Sequence, residues 1–144
     1  MIHRQYIEIM EKRIVTISDY ERLMSHRYYA LYRAKKPEVV ERFLIDLMEA
    51  ELVEPSQIPE GIVTMNSIVL LKEIGAGRQI ELKLTYPNES NELERKIAVF
   101  SSIGTALLGR QVGHVVSWQI QGKSAEMEIL RVTRQPEPVE YFYL

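Results

Sequence analysis

The spacing of apolar residues changes partway along this 144-residue chain, and that change constrains the fold more than any single motif does. Between residues 17 and 51 the apolar side chains recur at helical spacing. Between residues 62 and 133 they mostly alternate, the repeat of strands with one buried face. A chain of this length forms one ordinary domain, or a small domain with an appendage. The expected architecture is α+β: a short N-terminal antiparallel helical hairpin, then an antiparallel β-sheet domain with one short helix.

The first helix opens at "SDYE", where Ser18 as N-cap and Glu21 three residues on spell a capping box. Tyr20, Leu23, Met24, Tyr28 and Leu31 then make one apolar stripe to about Arg33. The second helix begins at Pro37, whose missing N–H costs nothing in a first turn, and Glu38 and Glu41 suit the positive helix N-terminus. Its stripe is Val40, Phe43, Leu44 and Leu47. About three residues separate the helices, so they are predicted to lie antiparallel with facing stripes. The tip of this hairpin is basic, with Arg33, Lys35 and Lys36 beside Glu38.

Pro55, Pro59 and Gly61 end the helical region and predict a short semi-stiff linker over residues 55–61. The expected division is therefore 1–54, 55–61 and 62–144. Strands are predicted at about 63–73, 78–86, 95–100, 114–121 and 125–133, with hairpin turns at "GAG" (residues 75–77) and around Gly122. In "QIELKL", Ile80, Leu82 and Leu84 share one face. The short helix lies in "SSIGTALLGRQVGHVVSW", residues 101–118: Ser101 or Ser102 caps it, Ala106, Leu107 and Leu108 turn inward, and Gly109 suits the left-handed C-terminal position. Residues before Ser18 fit either a strand or a helix. The aromatic tail, with Tyr141, Phe142 and Tyr143, either packs back on the sheet or holds a partner.

Composition narrows the function. Cysteine is absent, which removes disulfides, thiolate metal sites and cysteine nucleophiles together. His3, His26 and His114 have no ligand spacing. A net charge of −2 argues against a sequence-specific nucleic-acid binder acting through bulk electrostatics. No apolar run is long enough to span a bilayer, and the N-terminal residues lack the pattern of a secretory signal, so the expected location is the cytoplasm.

The glycine-rich stretch is no phosphate loop, because Arg110 and Gln111 stand where such a loop needs Lys and Ser/Thr. No spacing pairs Ser101, Ser102, Ser117 or Ser124 with His114 for nucleophilic catalysis. Glu38 and Glu41 could act as paired carboxylates, but Lys35, Lys36 and Arg42 make that end a mixed solvated surface. Glu89, Glu92 and Glu94 read as a solvated loop. Neither a catalytic group nor a metal or cofactor site is expected.

The combination of "VTMNSIV" (residues 63–69), "YP" (86–87), "SSIGTALLGRQVGHVVSW", "EILRV" (128–132) and "QPE" (135–137) resembles the GreA/GreB family, the transcript-cleavage factors of bacterial RNA polymerase. The likeness is closer to its short-hairpin, Rnk-like members, the regulators of nucleoside diphosphate kinase, and "ISDYERL" (17–23) shares it. It spans roughly residues 17 to 144.

This resemblance implies an FKBP-like C-terminal domain that docks on the rim of the polymerase secondary channel, with a coiled-coil-like hairpin pointing inward. It places the docking loop at Phe100, Ser101, Ser102 and Ile103. The chain departs from the family pattern there, since Phe100 and Ser102 replace an acid and a proline. At the tip, "YRAKKPEV" replaces the acidic motif that helps hold catalytic magnesium. A helix of about 15 residues also reaches only about 22 Å.

The expectation is therefore a monomeric, non-enzymatic transcription regulator that binds RNA polymerase, competes with Gre factors and does not stimulate cleavage. The alternatives are a residual Gre-type cleavage factor and an FKBP-like prolyl isomerase. An isomerase needs an aromatic-lined pocket, thinly provided by Trp118 and Phe100.

Overall fold

The computed structural model describes residues 11–134. The chain begins with strand β1 (Ile14–Thr16), then helices α1 (Ile17–Ser25), α2 (Arg27–Arg33) and α3 (Pro37–Met48), then β2 (Glu51–Val53). After a 3-10 turn at Pro55–Gln57 come β3 (Ile68–Glu73), β4 (Gln79–Thr85), β5 (Lys96–Ala98), helix α4 (Ser102–Leu107), β6 (Val115–Ile120) and β7 (Lys123–Thr133). The aromatic tail and "QPE" lie outside the described residues.

The ambiguous segment before Ser18 resolves, where described, as β1. It pairs in parallel with β2, Ile14 opposite Glu51 and Thr16 opposite Val53. A parallel pair requires a crossover connection, and here all three helices supply it. Thr16 also replaces Ser18 as the cap of α1: its hydroxyl accepts the Asp19 N–H at 3.1 Å.

The first helix does not run unbroken to Arg33. A continued helix would give the Arg22 carbonyl to the His26 N–H. Instead Ser25 Oγ donates to that carbonyl at 2.6 Å and His26 Nδ1 at 2.7 Å, while the His26 N–H turns to the Leu23 carbonyl. Side chains competing for a backbone acceptor break a helix in this way. The stripe is redirected as a result: Leu23 and Ala30 are buried, whereas Tyr28, expected on the packed face, is 72% exposed. Helix α3 follows its sequence, with Pro37 in the first turn and Val40, Phe43, Leu44 and Leu47 all buried.

The five-stranded sheet has the order β5-β4-β3-β7-β6. Three pairings are antiparallel, and the glycine turns join two of them, β3–β4 and β6–β7. The Gln121–Gly122 turn has positive φ at both residues (49° and 80°), the geometry that joins twisted strands most tightly. The fourth is not: β5 runs parallel to β4, Lys83 opposite Lys96 and Thr85 opposite Ala98. Residues 86–95 join these strands, too long a connection for a tight hairpin. The connection takes two 3-10 turns, Pro87–Glu89 and Glu92–Glu94, and so brings the chain back in the same direction. The sheet is mixed rather than wholly antiparallel.

"VTMNS" becomes a tight turn in which Thr64 donates its N–H to Ser67 Oγ at 2.9 Å and Asn66 takes a left-handed conformation (φ 67°). Asp19 of α1 accepts the Met65 N–H there at 3.1 Å, tying helix to sheet. Most buried apolar residues form one cluster, running from Leu23, Phe43 and Leu47 in the helices to Leu71, Leu84 and Ile129 in the sheet and Leu107 in α4.

Candidate functional site

The loop entering α4 is held by its own short-range bonds. Ser101 Oγ donates to the Ala98 carbonyl at 2.6 Å and accepts the Gly104 N–H at 3.1 Å, so Ser101 is the N-cap. A Cβ on Gly104 would lie 2.2 Å from the Ala98 carbonyl oxygen and 2.6 Å from Val99 Cα, so only glycine lets the helix sit this close to β5. Gly109 then ends the helix segment at φ 80°. Phe100 meets the ring of Phe43 edge-on, with centroids 5.9 Å apart, which turns the loop toward α3.

Opposite this loop lies the connection between α2 and α3. The two face a cavity of about 390 Å³ whose lining is mainly apolar: Tyr29, Ala30, Val39, Val40, Pro87 and Ala98. Of the residues singled out from sequence, Arg33, Lys35, Lys36, Phe100, Ser101 and Ser102 all line it. Glu38 opens instead onto an adjoining depression of about 380 Å³ with Arg42 and Trp118. Ile103 faces a third, of about 330 Å³, on the far side of Ser102. Among the described residues, no three His, Cys, Asp or Glu side chains cluster as metal ligands. Nor is any helix there long and apolar enough to cross a membrane.

The structure adds a residue that the sequence did not single out. Arg13 is 7% exposed, and its Nη1 donates to the carbonyls of Thr105 at 2.6 Å and Leu108 at 2.8 Å. These acceptors belong to the end of α4, where a helix leaves its carbonyls without partners. Nη2 donates to Asp46 of α3 at 3.2 Å, and the guanidinium lies 5.1 Å from the Phe43 ring centroid. One side chain therefore fixes α4 against α3. Burial lowers its pKa to about 10, neighbouring Arg110 adds to that, and Asp46 opposes both. Arg110 is lowered too, again chiefly by burial. In sequence, Arg13 is one more basic residue in "EKRIVT", with no periodicity to mark it as buried. Tyr29 and Val39 were likewise invisible as groove residues, because only the break at His26 and the fold of the tip bring them there.

The family model described as "Transcription elongation factor, GreA/GreB, C-term" matches residues 58–134. The chain is similar to the regulator of nucleoside diphosphate kinase of Escherichia coli K12, 32% identical over 93 residues, covering 64% of this chain and 68% of that one. It is also similar to transcription elongation factor GreA of Clostridioides difficile, 31% identical over 130 residues, covering 88% and 81% of the two chains. Among solved structures, a prokaryotic transcription elongation factor GreA/GreB from Nitrosomonas europaea superposes with a TM-score of 0.70 at 30% identity, covering 85% of this chain and 98% of that one.

Proposed function

The chain belongs to the GreA/GreB family of transcription elongation factors, and from that premise we propose that it is a non-enzymatic regulator of bacterial RNA polymerase. In this reading the sheet and α4 form an FKBP-like docking domain that binds near the rim of the secondary channel. Phe100, Ser101, Ser102 and Ile103 make the contact. The helices form a short antiparallel, coiled-coil-like hairpin that occupies the Gre site without stimulating transcript cleavage.

The observation that carries the proposal is the shared cavity, which sets the cationic tip beside the docking loop. The loop is fixed in advance by the Ser101 bonds and by Phe100 on Phe43, so little ordering entropy opposes docking. The tip chemistry disfavours cleavage, because Arg33, Lys35 and Lys36 repel a divalent cation. Glu38 sits in the first turn of α3, where an acid stabilises the helix N-terminus. Reach points the same way: α3 has 12 residues, a length of about 18 Å.

Retention on core polymerase in a pull-down, displaced by a Gre factor, tests the docking. Ser102→Arg is expected to weaken retention while leaving the unfolding curve unchanged. No retention, or retention indifferent to the competitor, overturns the reading. Backtracked elongation complexes incubated with the protein are expected to keep their RNA length; shortened RNA overturns the claim of no cleavage stimulation.

A further inference from the structure

Three guanidiniums converge on one carboxylate where α3, α4 and β6 meet. Arg13, Arg42 and Arg110 line a depression of about 280 Å³ together with Asp46, the one carboxylate among its lining residues. Asp46 accepts from Arg13 Nη2 at 3.2 Å and lies 3.9 Å from Arg42 Nε. Arg110 directs one donor to the Glu11 backbone carbonyl at 3.0 Å. His114, also in the lining, accepts the Gln111 N–H on Nδ1 at 3.1 Å, so its proton sits on Nε2 and is donated to the Glu11 carboxylate at 2.7 Å. Even with Glu11 counted, guanidiniums outnumber carboxylates here. Burial lowers the pKa of both Arg13 and Arg110, and the nearby carboxylates do not offset it. A buried excess of cation is costly unless an anion meets it.

Arg13 also holds a donor in reserve. Its side chain is 7% exposed and both Nη atoms are engaged, yet Nε is buried with no hydrogen-bond partner among the described residues. A guanidinium can offer Nε–H and an Nη N–H in parallel to two oxygens of one oxyanion. Here Nη2 reaches Asp46 and Nε reaches nothing. The adjoining depression of about 380 Å³ shares Arg13, Arg42 and Asp46 and is walled by Phe43 and Trp118. The Trp118 indole Nε1–H is likewise buried without an acceptor.

We propose that the depression lined by Arg13, Arg42 and Arg110 binds the phosphate group of a small phosphate ester, whose carbon skeleton lies beside Trp118 in the adjoining depression. Arg42 and Arg110 grip the phosphate oxygens in the bidentate manner that suits a planar guanidinium, and Arg13 behind them supplies a fixed positive charge. Arg42 belongs to α3 and Arg110 follows α4, so an occupied site braces the helices against the sheet domain. The site is independent of polymerase docking, since none of residues 100–103 lines the phosphate depression.

Trp118 is the single tryptophan, so its fluorescence reads the site in the full chain. Inorganic phosphate and phenyl phosphate, titrated at constant ionic strength, are expected to change that fluorescence saturably, phenyl phosphate the more tightly, whereas sodium chloride gives no saturable change. Arg42→Gln and Arg110→Gln should each weaken binding about tenfold, the loss of one charge-assisted contact. Arg78→Gln, which removes the same charge from an exposed position in the β3–β4 turn, should leave binding unchanged. Circular dichroism confirms that each variant is folded, and Arg42 is exposed enough that its substitution leaves the core intact. No saturable change with either phosphate, or equal weakening by Arg78→Gln and Arg42→Gln, overturns the site. Equal affinity for the two phosphates overturns the placement of the ester's skeleton beside Trp118.

Discussion

Arg13 shows how one side chain can organise a surface it does not belong to. Its guanidinium holds the last carbonyls of α4 and the Asp46 carboxylate of α3, and so sets the angle at which the loop entering α4 meets the helices. Arg13→Ala is expected to cost about 2–3 kcal/mol, because buried acceptors lose charged donors. Arg13→Lys should recover only part of this, since the three donors of an ammonium radiate from one nitrogen and lack the planar fork that reaches Thr105, Leu108 and Asp46 from two. The pH dependence follows from the lowered pKa. A base whose folded value lies at about 10, below its value in the unfolded chain, is charged in both states near neutrality. Its burial cost is then constant, so the penalty of the substitution should stay level between about pH 6 and pH 8. Only as pH rises above about 10 does the folded state shed the charge first and gain relative stability. Urea unfolding across that range checks both statements.

At the scale of elements, the helix caps separate what local sequence states from what it leaves open. Thr16 caps α1 and Ser101 caps α4. Thr16→Ala and Ser101→Ala should each cost about 1 kcal/mol, whereas Ser18→Ala should change stability by less than about 0.5 kcal/mol. Thermal unfolding of the three variants distinguishes the assignments. The start at Pro37, the stripe of α3, the glycine turns and the Ser101 cap were all legible, because each is encoded within a few residues. The Thr16 cap was not, since Thr16 and Ser18 offer the same hydroxyl two positions apart. Which one serves depends on β1, and β1 depends on β2 more than thirty residues away. The parallel placement of β5 is non-local in the same sense. The site was half legible: six of its lining residues were marked by charge, by the "SSIGTALLG" pattern and by resemblance, while Tyr29, Val39 and Arg13 required the fold.

Across the whole molecule, one buried cluster joins helices and sheet, with Phe43 at their junction, 1% exposed and in contact with both Arg13 and Phe100. Phe43→Ala should cost about 3–5 kcal/mol, a large share of the roughly 5–15 kcal/mol available to a small domain. Trp118, the single tryptophan, sits in β6, so its fluorescence reports the sheet while far-ultraviolet circular dichroism reports chiefly the helices. The two probes are expected to give coincident urea transitions in the parent chain, and separate midpoints would contradict a shared core. The β1–β2 pair has a further consequence. It brings the start and end of the helical excursion to within about 8 Å of each other, two residues along and one strand across. The helices are thus mounted like an exchangeable probe on a fixed socket. Their length and tip chemistry can change without altering the register of the sheet, because the excursion starts and ends at neighbouring points.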